Sequence, residues 1–214
     1  MSVSPDPRSF VVLVPVKPPA QGKSRLADLP DDLRTALASA FARDTLSAAR
    51  SAACVAEVMV VTDDAAFASV AADDGCATLP DGVTGDLNAS LVQAALEAAR
   101  RWPGHAVAAV CADLPALTGD DLDEALAQVP EGGAAFVADA QGTGTTTYAA
   151  WSVEAFDPRF GVRSRDAHFE AGAREVTGML ATLRQDVDDL GDLGRAMVLG
   201  VGRYTADAMG HGAG

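Results

Sequence analysis

Residues 10–14 read Phe-Val-Val-Leu-Val, an unbroken apolar and largely β-branched run closed by Pro15. A run without polar alternation is a strand covered on both faces. Proline cannot donate to a central ladder, so the strand is expected to end there. The chain is thereby committed to a sheet with other elements packed on both sides. Beyond the strand, Val16-Lys17-Pro18-Pro19-Ala20-Gln21-Gly22-Lys23-Ser24-Arg25-Leu26 reads as a loop carrying Lys17, Lys23 and Arg25. In open parallel sheets ligands bind outside the carboxyl ends of strands, which makes this loop a candidate phosphate site. Gly22-Lys23-Ser24 looks like the end of a P-loop, but that pattern needs glycine where Lys17 stands. Pro18 and Pro19 also lack an N–H to give a phosphate. Phosphate capture would therefore rest on Lys and Arg side chains with some backbone amides. A surface loop with solvated cations is the plain alternative.

The rest of the chain continues the alternation of strand and helix. Pro30-Asp31-Asp32 opens a helix with acidic residues in its first turn, and Leu33, Leu37 and Phe41 at spacing four are expected to face the sheet. Val58–Asp63 reads as a second buried strand, Ala65–Ala72 as a short helix and Ala77–Leu79 as a short strand, with a turn at Asp74-Gly75. This is the parallel α/β pattern. Gly85 precedes a helix that carries Asn88 at its start, where Asn88 is either a cap or an amide aimed at a base or ribose. Ala106–Cys111 is a third buried strand, which places Asp113 at its carboxyl end as a metal ligand or an Asx-turn residue. Thr118 with Asp120 and Asp121 starts the next helix, with Leu122 and Leu126 inward.

Ala134–Ala138 is a further strand. The loop Asp139–Thr147, with Gly142 and Gly144, fails the dinucleotide glycine pattern but suits an anion, and Tyr148–Trp151 returns as a strand. Arg159–His168 is the most cationic stretch. Its Gly161 to Ser164 segment is a second candidate phosphate or carboxylate site, or simply a basic helix start; Ser164 can cap the helix, and His168 either lines the site or is an ordinary capped histidine. Leu183–Val187 reads as a strand that sets Asp186 and Asp188 on one face, with Asp189 pointing away. Two convergent carboxylates are costly to hold together without a cation. Gly191–Leu199 is a closing helix.

With 214 residues, no internal repeat and no linker, the chain reads as one domain over 10–209, with a frayed start at 1–9 and a flexible tail at 210–214. The residues are 49% hydrophobic but only 5% aromatic, so Ala, Val and Leu must build the core. A net charge of −14 argues against nucleic acid or a membrane surface as partner, while leaving room for a nucleotide in a local cationic pocket. Cys54, Cys76 and Cys111 form no C-x-x-C and read as buried thiols of a reducing cytoplasm. No apolar run approaches a membrane span, and the first nine residues contain no apolar signal core.

Taken in order, Val14-Pro15-Val16-Lys17, Lys23-Ser24-Arg25-Leu26, Val61-Thr62-Asp63, Ala112-Asp113-Leu114-Pro115, Gly144-Thr145-Thr146, Phe160-Gly161-x-x-Ser164 and Asp186-Val187-Asp188 resemble a known family. It is the phosphoenolpyruvate / 2-phospho-L-lactate guanylyltransferases of coenzyme F-420 biosynthesis. The resemblance implies a three-layer, Rossmann-like nucleotidyltransferase fold, similar to nucleotide-diphospho-sugar transferases: a mixed, mainly parallel sheet with helices on both sides. It implies that Lys17, Lys23 and Arg25, with Pro15, Val16 and Ser24, hold the GTP phosphates, and that Asn88 and Gly85 help read the nucleoside. Asp113, Asp186 and Asp188 would bind Mg²⁺, and Thr146, Gly161 and Ser164 the acceptor. Alanine richness leans toward the bacterial acceptor, phosphoenolpyruvate. Monomer and homodimer stay open. A sugar-phosphate or molybdopterin nucleotidyltransferase is the rival enzyme, and a regulatory GTP-binding α/β domain the rival from another class.

Overall fold

The computed structural model describes residues 9–17, 29–83 and 85–211. Lys23, Ser24 and Arg25 of the basic loop lie outside the described residues, as do 1–8 and 212–214. The elements run β1 (Phe10–Pro15), α1 (Asp31–Ser51), β2 (Val55–Val61), α2 (Ala65–Asp73), β3 (Ala77–Leu79), α3 (Leu87–Arg101), β4 (Ala106–Val110) and α4 (Gly119–Leu126). Then come β5 (Ala134–Ala138), β6 (Thr145–Ala150), α5 (Ser164–Glu170), β7 (Arg174–Glu175), α6 (Ala181–Arg184), α7 (Leu190–Leu199) and α8 (Arg203–His211).

Among the described residues the strands form one seven-stranded sheet in the order β3-β2-β1-β4-β6-β5-β7. β1 lies inside it, parallel to β2 on one side and β4 on the other, and only β6 runs against its neighbours. The β1 run is covered on both faces, as its composition requires. Phe10, Val12 and Val14 join a cluster with Ala42, Leu46 and Ala49 of α1 and Leu122, Ala125 and Leu126 of α4. Val11 and Leu13 join the opposite cluster with Leu91, Ala94, Ala95 and Ala98 of α3. The alanines of α3 and of β4 let helix and sheet approach closely, which is how a core so poor in aromatics is filled. Leu13 is wholly buried, so Leu13→Ala would cost about 2–5 kcal/mol.

Several expectations are corrected. Leu33, Leu37 and Phe41 do not face the sheet: they pack against Leu193 and Ala196 of α7 and Ala208 and Met209 of α8 in a third cluster. From the next residue of α1 onward, Ala42, Leu46 and Ala49 take the sheet face instead. Leu183–Val187 is not a strand. Leu180 adopts φ 41 and opens the short α6, whose Leu183 is buried, and 185–187 is irregular backbone. Arg184 ties this segment down by donating to the carbonyls of Ala138 (3.0 Å) and Val176 (3.0 Å), in place of a strand ladder. Thr145–Thr147 belong to β6 rather than to the preceding loop. Gly210 and His211 are helical in α8, and Ser9 is tied in through its carbonyl, which accepts from Ala106 N at 3.0 Å.

Candidate active site

Because β1 to β5 are parallel, their carboxyl ends share one edge, and β6, running the other way, begins there. Lys17 follows β1, Gly85 follows β3, Asp113 follows β4, Asp139 follows β5, and Thr146 stands at the start of β6. Pro15, Val16, Lys17 and Gly85 line one cavity of about 100 Å³ together with Val61, Asp81 and the first turns of α3. Gly85 turns the chain at φ 86, a conformation that favours glycine. Asp86 then caps α3 by accepting from Ala89 N.

Asn88 does not cap α3, since Asp86 holds that position. Its Nδ2 donates to Phe160 O at 2.9 Å, and its Oδ1 accepts from Phe160 N at 2.8 Å. The amide matches a backbone N–H and C=O pair, so it clamps the Phe160-Gly161 loop onto α3.

That loop also differs from its sequence reading. Ser164 is the first residue of α5, not its cap; the cap position is Arg163, left-handed at φ 55. The flanking arginines are all paired: Arg159 with Asp157, Arg163 with Asp166 and Arg165 with Glu175. What remains for a ligand is the buried Ser164 and the open backbone at Gly161, which has φ 144. His168 is fully buried beneath them. Its Nε2 accepts from Arg159 N at 2.8 Å, which leaves the proton on Nδ1, 3.0 Å from Thr145 Oγ1. Burial pushes its pKa down to about 4, so it stays neutral.

The glycine loop after β5 already holds an anion of the protein's own. Thr143 N and Gly144 N donate to the Asp139 carboxylate at 2.9 and 2.8 Å. At its far end the β5–β6 register passes from Val137↔Thr147 to Ala138↔Thr145, so Thr146 is the extra residue of a bulge. Bulges re-aim side chains beside functional sites. Thr146 Oγ1 and Thr147 Oγ1 are buried and meet no hydrogen-bond partner among the described residues. A buried hydroxyl left so is costly and suits a ligand.

The structure brings Asp113 and the 186–188 segment together despite the missing strand: Val187 N donates to Asp113 O at 3.0 Å. Asp186 has its pKa raised to about 7, first by burial, then by the charges of Asp113, Asp188 and Asp139. The expected three-carboxylate metal cluster is not preassembled: among the described residues, no three His, Cys, Asp or Glu side chains are grouped to hold a metal ion. Carboxylates that repel one another have no reason to converge on a single point. The donor chemistry nonetheless fits a hard cation. Oxygen donors suit Mg²⁺, which takes one or two carboxylates and completes its shell with water and substrate phosphates. Asp189 is separate from this group: it caps α7, accepting from Asp192 N at 2.9 Å. Among the described residues, Asp139 is the member of the acidic group that sequence reasoning missed; its place after β5 was the available signal.

Known proteins share both sequence and fold with this chain. Phosphoenolpyruvate guanylyltransferase from Thermomonospora curvata is 45% identical over 92% of this chain and 87% of its own length. The protein of the same name from Streptomyces coelicolor is 43% identical over 92% of this chain and 94% of its own. Among solved structures, a nucleotidyl transferase from Methanothermobacter superposes with a TM-score of 0.61 at 17% identity, covering 87% of this chain and 95% of that one. A 4-diphosphocytidyl-2C-methyl-D-erythritol synthase gives a TM-score of 0.59 at 12% identity over 90% and 99%. These structures share the fold, a mainly parallel sheet with helices on both sides. The family model described as "Guanylyl transferase CofC like" matches residues 10–210, and the chain belongs to that family.

Proposed function

We propose that the chain transfers GMP from GTP to phosphoenolpyruvate, giving enolpyruvyl-2-diphospho-5'-guanosine and pyrophosphate. The relatives carry this reading: proteins named for that activity match more than nine-tenths of the chain. The acceptor phosphate is ionised near neutral pH, so its oxygen attacks the α-phosphorus of GTP without a general base. A new P–O bond forms as the bond to the β-phosphate oxygen breaks, and pyrophosphate carries away the electron pair. Catalysis is then positioning and charge neutralisation.

Lys17, and Lys23, Ser24 and Arg25 from the adjoining loop, are assigned to the GTP phosphates, with Pro15, Val16 and Gly85 shaping the cavity floor. Asn88 acts by positioning: it fixes Phe160 and so Gly161. Thr146, Gly161 and Ser164 are assigned to the acceptor. Mg²⁺ held by Asp113, Asp186 and Asp188 would supply charge neutralisation to the phosphoryl oxygens. Among the described residues no helix is long and apolar enough to cross a membrane, and Cys54 and Cys76 are free thiols, in keeping with a reducing cytoplasm.

Pyrophosphate release from GTP, measured with phosphoenolpyruvate, 2-phospho-L-lactate, a sugar 1-phosphate and molybdopterin in turn, tests the assignment. Turnover is expected with phosphoenolpyruvate. Turnover with a sugar 1-phosphate alone would overturn it, and GTP binding without release would make the chain a regulatory domain. Ser164→Ala should raise KM for the acceptor more than KM for GTP; equal effects would mean the two subsites are wrongly drawn.

A further inference from the structure

Cations are scarce in this chain, 16 Lys and Arg against 30 Asp and Glu. Yet Arg43, Arg50 and Arg203 line one cavity of about 170 Å³, between α1, the turn after α2 and the start of α8. None of its lining residues belongs to the cavity beside Lys17 or to the Asp113–Asp188 group. Among the lining residues Asp74 is the single carboxylate, and Arg43 takes both its oxygens, at 2.8 and 3.0 Å. Arg50 donates to the backbone carbonyl of Asp74 instead. Among the described residues neither Arg50 nor Arg203 makes an ion pair within 4.0 Å.

Apart from the Arg43–Asp74 pair, the guanidiniums are held in place by neutral contacts. The Tyr204 ring centroid lies 3.8 Å from Arg43 Cζ and 4.4 Å from Arg203 Cζ, and Tyr204 Oη donates to Asp74 Oδ1 at 3.3 Å. Gly75, at φ 83, leaves the room Arg50 occupies: a Cβ there would lie 2.9 Å from Arg50 Nη2. Glu57 acts on the cavity's Cys76 only through space. The amides of the first turn of α8 are not part of the attraction, because the Asp44 carboxylate takes Tyr204 N and Thr205 N. One carboxylate offsets one guanidinium, so the remaining positive charge is suited to an external anion. Planar guanidinium forks match the oxygens of phosphate in pairs.

We propose that this seam is a second anion site, which binds a small phosphate-type oxyanion, orthophosphate or pyrophosphate. Its link to the sheet edge is short. Arg43 and Leu46 line the cavity, and Thr45 between them holds the turn around Asp113: Thr45 Oγ1 accepts from Leu114 N at 3.2 Å, and its one proton is shared between Phe41 O at 2.9 Å and Ala112 O at 3.3 Å. An anion that draws α1 and α8 together therefore stiffens the support of Asp113.

Equilibrium dialysis with ³²P-labelled pyrophosphate, and separately orthophosphate, tests the site at constant ionic strength, with GTP saturating so that the nucleotide cavity is filled. Wild type should bind one saturable equivalent of one or both anions. Arg50→Gln/Arg203→Gln should bind it on the order of ten-fold more weakly, and Arg50→Lys, which keeps charge but loses the fork, should fall between. Preference for pyrophosphate would mark a product site, and preference for orthophosphate a sensor of free phosphate. Both arginines are exposed, so the variants should keep the wild-type circular dichroism; the single Arg203→Gln serves if the double variant does not. In parallel, the anion should raise Tm more in wild type than in the variants at the same concentration. Equal binding by wild type and variants, or no saturable equivalent beyond GTP, overturns the proposal.

Discussion

His168 stacks on Tyr148 with ring centroids 4.6 Å apart and meets Phe136 and Phe160 on its other sides. Burial holds it neutral, with a pKa near 4 against an ordinary 6.5. Above pH 6.5 it is neutral folded or unfolded and costs nothing. Between 6.5 and 4 the unfolded chain takes up a proton that the folded chain refuses, so stability falls as the pH falls. From pH 7 to pH 5 this amounts to about 2 kcal/mol. Asp186 works in the opposite sense: with its pKa near 7 in the fold, its charge costs stability above pH 7, and acid relieves that cost down to about pH 4. Comparing wild type with His168→Gln separates the two. The variant should be less stable at pH 7 but lose less on going to pH 5, read from chemical unfolding at each pH. An equal loss in both proteins would mean that His168 is protonated within the fold. Neither this role nor that of Asn88 was legible from spacing. The sequence put His168 one turn beyond Ser164, but its partners, Thr145 and Arg159, converge only through tertiary structure, and the backbone that Asn88 clamps is 72 residues away.

α8 depends on a cap that its own sequence does not supply. Gly202 precedes it, and the carboxylate that satisfies its first amides belongs to Asp44 of α1, 4% exposed and bound to Tyr204 N at 3.0 Å and Thr205 N at 2.8 Å. Gly202 is required here because a Cβ would run into that carboxylate. Asp44→Ala leaves two amides facing a void and should cost about 2 kcal/mol. For a chain of this length that is about 4–8 °C in Tm, measurable by calorimetry. A fall of under 1 °C, on the same scale, would show that water replaces the carboxylate. The same seam explains what was legible at this scale. The stripe Leu33, Leu37, Phe41 was readable from its spacing, but periodicity does not say what a stripe meets, and α8 was invisible because its cap lies on another helix. Buried strands with unmixed composition, β1 and β4, were plain. Leu183–Val187 misled because a short apolar-polar alternation cannot be told from a helical turn followed by irregular backbone.

At the scale of the whole molecule the strand order could not be read, because β-branched runs mark strands without naming neighbours. The insertion of β6 between β4 and β5 is what sets Thr146 against Cys111, whose N–H donates to its carbonyl at 2.8 Å two residues before Asp113. What the sequence did carry was the edge: each polar residue that follows a buried strand ends on the same side. The charge there is mostly negative, with Asp63, Asp81, Asp113 and Asp139 after β2, β3, β4 and β5, on a chain of net charge −14. Both substrates of the proposed reaction are anions, so the long-range field opposes their approach while contacts such as Lys17 act at short range. Salt screens the first far more than the second, since the Debye length shrinks to about 10 Å at 0.1 M. At fixed free Mg²⁺, kcat/KM for phosphoenolpyruvate should therefore rise about two- to three-fold as KCl goes from about 10 to about 150 mM, before falling at higher salt. The rise should be absent from kcat, which is measured with substrate already bound. A steady fall in kcat/KM from the lowest salt onward would mean that the basic residues between β1 and α1 govern approach, and that the acidic edge is neutralised by metal before the acceptor arrives.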